Sequence, residues 1–134
     1  MAAASTVGWR VVAHGTATSP ASANPYAIVA TSAAAAQPIV VRVPASARGK
    51  ALALDYRSSV LVGVFGPFGC RDHRVHVSRV DEISRTLRVR LTMTPLPPST
   101  MECQALFTTY RLLVVPRSGL PRVPTRASVS LVTA

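Results

Sequence analysis

The densest group of chemically reactive side chains in the sequence lies in residues 70–76. It includes Cys70, Asp72, His73 and His76. A cysteine close to histidines could act as a catalytic nucleophile, or it could help to bind a metal ion. These residue types therefore raise two hypotheses, a Cys-His catalytic pair and a metal site.

The pattern around this cluster argues against both hypotheses. Val75 and Val77 alternate with polar residues, which places His76 on the outward face of a strand and away from a buried thiol. His73 comes at the start of that strand. Zinc usually requires four well-spaced ligands, whereas this chain has two cysteines and no CxxC pair. We therefore expect a solvated turn here, with no catalytic residue, no metal and no cofactor.

The two cysteines, Cys70 and Cys103, are 33 positions apart. They could form a disulfide, remain as two structural thiols or include one reactive thiol, and we predict the disulfide. Such a bridge closes a loop of about 34 residues, worth roughly 3–4 kcal/mol in the chain-entropy model. Because structural disulfides persist in oxidising compartments, we expect an extracytoplasmic protein, whether secreted, periplasmic or surface-anchored. The start of the chain lacks the pattern of a signal peptide, so the sequence is expected to be the mature form.

The chain is strongly basic, since 15 Lys and Arg residues against 5 Asp and Glu residues give a formal net charge of +10. Five acidic side chains provide few candidates for general acid–base catalysis. The sequence also has no P-loop. Aromatic residues make up only 5% of the chain, too few for a platform that stacks single-stranded nucleic acid. We expect a protein that is not an enzyme and whose partner is not nucleic acid.

The spacing of apolar residues predicts an all-β fold. With 49% hydrophobic and 15% charged residues, the chain has the composition of a folded domain and not of a disordered one. Its 134 residues fit one domain, residues 1–134, in which residues 1–7 are expected to be disordered. We predict a small antiparallel β-sandwich or a partly open barrel of about eight strands, with one short helix.

Two strands are especially clear in the sequence. Residues 60–65 (VLVGVF) form a continuous apolar run, typical of a strand buried on both faces. Residues 86–93 alternate, with Leu87 and Val89 pointing inward and Arg88 pointing outward. The remaining predicted strands are 8–13, 26–31, 39–43, 74–80, 103–108, 110–115 and 127–132.

The segment between residues 31 and 50 is less regular. Thr31 and Ser32 precede four alanines and could cap a short helix, which Pro38 would limit to one or two turns. After the predicted strand at 39–43, residues 44–50 have the composition of a small polar loop.

Two loops rich in Gly and Pro are candidates for contact with a partner protein. Residues 66–70 (GPFGC) predict a tight turn, and residues 94–100, with three prolines, cannot form a central strand. A rigid sheet can present such loops with little loss of entropy on binding. Phe68 would be an anchor if exposed at the turn, and a structural residue if it tucks under the loop. The candidate contact residues are Gly66, Pro67, Phe68, Gly69, Pro95, Leu96, Pro97 and Pro98.

Five arginines could form one basic face across the central hairpin. They could bind an anion or an acidic partner, or they could be the solvated polar face that every exposed sheet needs. These residues are Arg74, Arg79, Arg85, Arg88 and Arg90.

One further pattern concerns the order of short motifs along residues 50–121. An Asp-aromatic pair precedes the apolar strand, a Gly-containing loop follows it, and a Gln, a Thr-x-Tyr-type step and a strand ending in Val-Pro-Arg close the segment. The residues are Asp55, Tyr56, Gly66, Gly69, Gln104, 108–110 and 115–117. In this order and spacing the segment resembles the protease-complex subunit PrcB C-terminal-like domain.

The resemblance implies an extracytoplasmic β domain that accompanies and stabilises a surface protease. We therefore expect a non-enzymatic module for protein interaction, with another protein, such as a protease, as its partner. Two alternatives remain open, a protease inhibitor that inserts its loops into a cleft and a binder of anionic polymers that uses the basic surface. The sequence has no run of 18 apolar residues, so no transmembrane segment is expected.

Overall fold

The alternating and continuous apolar runs of the sequence form eight strands in the residues that the structure describes. The structure is a computed structural model that describes residues 4–18, 24–68, 75–94 and 108–133. The prediction of a mainly β sandwich is confirmed, and its two sheets do not close into a barrel. The strands are β1 (Ser5–Thr6), β2 (Arg10–Thr16), β3 (Tyr26–Ala30), β4 (Ser59–Phe68), β5 (Val75–Ile83), β6 (Thr86–Met93), β7 (Thr108–Pro116) and β8 (Arg126–Thr133).

Two four-stranded sheets pack face to face. We call the sheet with strand order β1-β5-β6-β8 the outer sheet, and the sheet with order β2-β7-β4-β3 the central sheet. Neighbouring strands are antiparallel, except that β8 runs parallel to β6. Two helices, α1 (Gln37–Val40) and α2 (Ala45–Ala53), cover the other face of the central sheet. The protein therefore has three layers, which are the outer sheet, the central sheet and the helices.

The central sheet is buried on both faces, as its sequence predicts. Val62 and Val64 on β4 pack against the outer sheet, while Leu61 and Phe65 pack against the helices. Gly63 lies between them on the helical side. A Cβ atom there would come within 3.1 Å of the Ile39 side chain, so the absence of a side chain lets α1 approach the sheet.

The helical layer differs from the sequence-based prediction. Residues 39–43 were expected to form a strand and residues 44–50 a loop, and both predictions are wrong because these segments lie in or beside α1 and α2. Pro38 occupies the first turn of α1, where its missing N–H has no intrahelical partner, so it begins this helix instead of ending one. Ile39 and Ala47 are buried on the central sheet. The apolar second face of that sheet needs such a cover, and this selects the helical arrangement.

Other corrections concern the ends of strands. Residues 66–68 continue β4 and do not form the expected tight turn. The hairpin between β5 and β6 turns at Ser84 and Arg85, whose φ angles are +49° and +65°, so the connection is shorter than the five residues between the predicted strands 74–80 and 86–93. The expected disorder of residues 1–7 does not hold for residues 5–7. Ser5 and Thr6 form β1, and the N–H group of Val7 donates to the carbonyl of Val80 at 2.9 Å.

Candidate functional site

The outward face of the outer sheet carries a group of arginines. Alternation along β6 turns Leu87 and Val89 into the core and leaves Arg88 and Arg90 exposed. In the β5–β6 register, Arg79 lies directly opposite Arg90 and Asp81 lies opposite Arg88. Arg126 on β8 lies on the same face, and its Nε donates to Thr86 Oγ1 at 3.1 Å. We call Arg79, Arg88, Arg90 and Arg126 the basic face.

Asp81 is the acidic residue of this face among the described residues, and it is held by Arg79. The Nε atom of Arg79 donates to Asp81 Oδ1 at 2.8 Å, and Thr6 Oγ1 donates to the same oxygen at 3.2 Å. Partial burial by itself would raise the pKa of Asp81. The hydrogen bonds from Arg79 and Thr6, together with the positive charges of Arg79 and Arg88, outweigh that effect and hold the pKa below its usual value.

The other arginines of the face form no ion pair in the described part of the chain. Arg88 and Arg90 are exposed, and neither forms an ion pair there. Four arginines against one aspartate leave this face with an excess of three positive charges. Residues two apart on a strand have Cα atoms about 6.8 Å apart, and directly opposite residues on neighbouring strands have Cα atoms about 5 Å apart. The face therefore offers several regularly spaced donors to an anionic ligand.

Hydroxyl groups flank these arginines. Ser128 and Ser130 on β8 lie beside Arg88 and Arg90 in the parallel register. On the β5 side, Thr92 Oγ1 donates to Ser78 Oγ at 2.7 Å. The outer surface of this sheet is thus mainly polar and able to donate hydrogen bonds.

Of the two remaining arginines of the predicted basic face, the structure describes one. Arg85 lies in the hairpin turn, where its backbone N–H donates to Glu82 Oε1 at 2.9 Å. Arg74 lies outside the described residues. The structure therefore brings Arg79, Arg88 and Arg90 together on one face.

The predicted loop sites lie mostly outside the described residues. Gly66, Pro67 and Phe68 belong to the end of β4, and the backbone of Phe68 pairs with that of Thr108. The residues that the description does not cover are Gly69, Cys70, Pro95, Leu96, Pro97, Pro98 and Cys103.

Sequence reasoning missed a buried arginine in the core. Arg111 on β7 is 6% exposed and lies between the two sheets. Its Nη2 donates to the carbonyl of Val75 at 3.1 Å, and its Nη1 lies 3.5 Å from the carbonyl oxygen of Gly66. Arg111 thereby links the end of β4 to the start of β5. The sequence feature that could have revealed this buried arginine is its position inside the apolar run 110–115, YRLLVV.

A groove between β2 and α2 was also missed. Ser46 and Lys50 of α2 and Tyr110 of β7 line it, next to the edge strand β2. No local pattern identifies this groove, because its walls come from three separate elements and the sequence predicted a loop where α2 forms.

The described residues contain neither a membrane-spanning helix nor a cluster of metal ligands. No helix there is both long enough and apolar enough to cross a membrane. In the same residues, no group of three or more His, Cys, Asp or Glu side chains is placed to hold a metal ion.

The fold and the basic face define this protein as a β-sandwich with a helical layer on one side and a polar, arginine-bearing sheet surface on the other. Comparison of the chain with protein-family models, with curated proteins and with solved structures finds no match in any of the three.

Proposed function

We propose that this protein is a non-enzymatic, extracytoplasmic binding module that holds an anionic polymer on its basic face. The observation that carries the proposal is the register of β5 and β6. It places Arg79, Arg88 and Arg90 side by side on an exposed surface with one carboxylate, Asp81, among them.

The chemistry of this surface favours a polymer over a folded partner protein. Protein–protein contact sites usually have an apolar or aromatic centre surrounded by a polar rim. The middle of the basic face has arginines and hydroxyl groups instead, with Ser128 and Ser130 beside Arg88 and Arg90. A chain of evenly spaced carboxylates or sulfates can contact such a row of donors along its length.

Binding to a model polymer under varied salt tests this proposal. Alginate, a polymer of uronic acids, serves as the probe in a titration followed by fluorescence anisotropy of the labelled polymer. Affinity is expected to fall as the NaCl concentration rises, because salt screens the attraction between exposed charges. At physiological salt, this attraction is largely lost beyond about 8–10 Å. The double variant Arg88→Gln plus Arg90→Gln is expected to bind about tenfold more weakly, since each exposed pair contributes up to about 1 kcal/mol.

A matched control separates this site from net charge. Arg57 and Arg122 are exposed and lie outside the basic face. The double variant Arg57→Gln plus Arg122→Gln loses the same two charges and is expected to keep its affinity within about twofold. Equal losses in the two double variants would show that the polymer responds to overall charge, and the assignment to the basic face would be abandoned.

A second candidate function is the protease-associated accessory role that the PrcB resemblance implies. The structural observation that favours it is the exposed strand β8 at one end of the outer sheet, where Leu131 and Val132 are 37% and 41% exposed. An exposed sheet edge can accept a strand from a partner protein. The test is affinity capture from the native cell surface. Recovery of a protease that the protein protects from thermal inactivation would support the role, and recovery of no partner would remove it.

A further inference from the structure

We propose that the groove between β2 and α2 binds a small amphiphilic carboxylate. The carboxylate would lie at Lys50 and Tyr110, and the apolar tail would lie along Val12 and Val114. This site is separate from the basic face and does not depend on it.

The groove consists of two adjoining depressions, both wide open to solvent, of about 340 Å³ and 430 Å³. Val12 and Lys50 line both of them. The two volumes lie within the range of about 300–1,000 Å³ typical of small-molecule sites. Ser46 and Tyr110 line one end, and Leu54, Val114 and the charged Arg10 line the other. The groove therefore has a polar end and an end that is apolar apart from Arg10.

Local structure explains why the groove forms. A β-bulge shifts the register of β2 between Val11 and Ala13, which displaces Val12 from regular pairing with β7. On α2, Ser46 and Lys50 are four residues apart and so lie on one side of the helix. These two features form opposite walls, and β7 forms the floor.

Tyr110 supplies the observation that points to a ligand. The residue is 3% exposed, and its ring lies against Gly15, where a Cβ atom would be 3.3 Å from the ring carbon Cε1. Its hydroxyl makes no hydrogen bond with the described residues, whereas the Tyr56 hydroxyl donates to the carbonyl of Ala51 at 2.6 Å. A polar group in a buried side chain is normally hydrogen-bonded, so this hydroxyl is available to water or to a ligand. Burial raises the pKa of Tyr110, so at neutral pH this hydroxyl keeps its proton and can donate it to an acceptor.

Lys50 supplies the charge. Its Nζ donates to the carbonyl of Val12 at 2.8 Å, which holds the ammonium group beside the bulge. An ammonium group has three donors, so two remain for a ligand. Lys50 forms no ion pair with the described residues, and no carboxylate among them lines the groove. The positive end of the α2 dipole, next to Ser46, adds to the attraction for an anion.

These donors fit a carboxylate with an apolar tail. The two carboxylate oxygens can accept from the Lys50 ammonium, the Tyr110 hydroxyl and the Ser46 hydroxyl. Beyond this end, Leu54 and the buried Val114 offer an apolar surface to a short alkyl or aromatic tail.

Sodium octanoate, used below its micelle concentration, is the probe for this site. Its binding is followed by amide chemical shifts of the labelled protein, and octylammonium and 1-octanol serve as controls with the same chain length. Octanoate is expected to produce saturable shifts at Gly15, Ser46, Lys50 and Tyr110, and octylammonium is expected to bind at least tenfold more weakly. Equal binding of the three compounds would show an apolar groove without anion recognition and would overturn the proposal.

Variants at Lys50 and Tyr110 test the assigned contacts. Lys50→Gln keeps a side-chain N–H donor, on a side chain one atom shorter, but lacks the charge, so its affinity for octanoate is expected to fall at least tenfold. Lys50→Arg is expected to stay within about threefold of the parent protein, and Tyr110→Phe is expected to bind several-fold more weakly. Retained affinity in both Lys50→Gln and Tyr110→Phe would overturn the proposal. If Lys50→Gln does not fold, the comparison of Lys50→Arg with Tyr110→Phe decides.

The basic face provides the control that separates this site from the proposed function. Arg88→Gln plus Arg90→Gln is expected to leave octanoate binding unchanged while it weakens alginate binding. Octanoate shifts that map to β5 and β6, and that disappear in this double variant, would assign the carboxylate to the basic face and refute the groove site.

Discussion

Arg79 on β5 and Arg90 on β6 lie directly opposite each other on the outward face of the outer sheet. Arg79 is hydrogen-bonded to Asp81 at 2.8 Å, whereas Arg90 has no acidic partner in the described part of the chain. Like charges in directly opposite positions destabilise a sheet. The basic face therefore combines an excess of positive charge with a small cost in folding free energy.

This relationship predicts that Arg90→Thr stabilises the fold. Removing one of the opposed charges, and placing a residue with high strand propensity there, is expected to raise the free energy of unfolding by about 0.3–1 kcal/mol in low salt. The measurement is urea denaturation followed by circular dichroism. Arg88→Thr is the control, because Arg88 lies opposite Asp81 and its removal relieves no direct repulsion. A gain in stability that is as large for Arg88→Thr, or that persists in 1 M NaCl, would contradict this account.

Asp81 predicts a specific response to acid. Its pKa lies below the ordinary value of 3.8 in the folded protein, so its contribution to stability is present above about pH 3.8. That contribution is lost as the pH falls through the lowered pKa. A carboxyl-detected NMR titration is expected to show the lowered pKa in the parent protein and a higher one in Arg79→Gln. Asp55 is the internal control, because its pKa is lowered by hydrogen bonds from Arg57 and is expected not to change in that variant.

Two tyrosines provide a matched comparison of hydrogen bonding. Tyr110→Phe removes a hydroxyl that makes no hydrogen bond with the described residues, so the free energy of unfolding without ligand is expected to stay equal or to rise by up to about 1 kcal/mol. Tyr56→Phe removes a hydrogen bond to the carbonyl of Ala51 and is expected to cost about 0.5–1.5 kcal/mol. Thermal and urea unfolding of the two variants measure the difference. A larger loss for Tyr110→Phe than for Tyr56→Phe would mean that the Tyr110 hydroxyl has a partner in the protein.

Glycine substitutions test the contact between α1 and the central sheet. Gly63→Ala would place a Cβ atom 3.0 Å from Phe65 and 3.1 Å from Ile39, so a loss of about 1–3 kcal/mol is expected from overpacking. Gly49→Ala on α2 meets no atom within 4 Å and is expected to stabilise the protein by about 0.5–1 kcal/mol, since alanine favours a helix. Chemical denaturation of both variants gives the two signs. If Gly63→Ala leaves the free energy of unfolding unchanged, α1 packs less closely on β4 than described.

The disulfide prediction can be tested independently of the described residues. The backbone pairing of Phe68 with Thr108 brings the two chain segments together two residues before Cys70 and five residues after Cys103. Because one residue spans at most about 3.6 Å, chain segments of two and five residues are long enough to allow the cysteines to meet. Mass spectrometry is expected to show a gain of two hydrogens on reduction, and Cys70→Ser plus Cys103→Ser is expected to lower stability by roughly 3–4 kcal/mol. Alkylation of both cysteines without reductant, in protein made in an oxidising compartment, would exclude the bridge.

The strands were predictable where the pattern is local and strong. Residues 86–93 alternate without interruption and form β6 with the predicted bounds, and the apolar run at 60–65 lies within β4, buried on both faces. The helices were not predictable in the same way. Four of the five residues 39–43 are β-branched and suit a strand, but the structure uses Ile39 and Val43 to cover the central sheet. Tertiary packing overrides local propensity in this segment.

The composition of the basic face depends on both the sequence pattern and the tertiary structure. Strict alternation from Val75 and Val77 would have turned Arg79 inward and Val80 outward. The β-bulge between Val77 and Arg79 shifts the register by one residue, so Arg79 points outward opposite Arg90 and Val80 enters the core. The sequence by itself determined that residues 60–65 and 86–93 become strands and which residues of β6 face outward, because these patterns are local properties of the chain. Only the tertiary structure decided which arginines meet and where the groove beside Tyr110 opens, because both depend on pairing between segments that are distant in sequence.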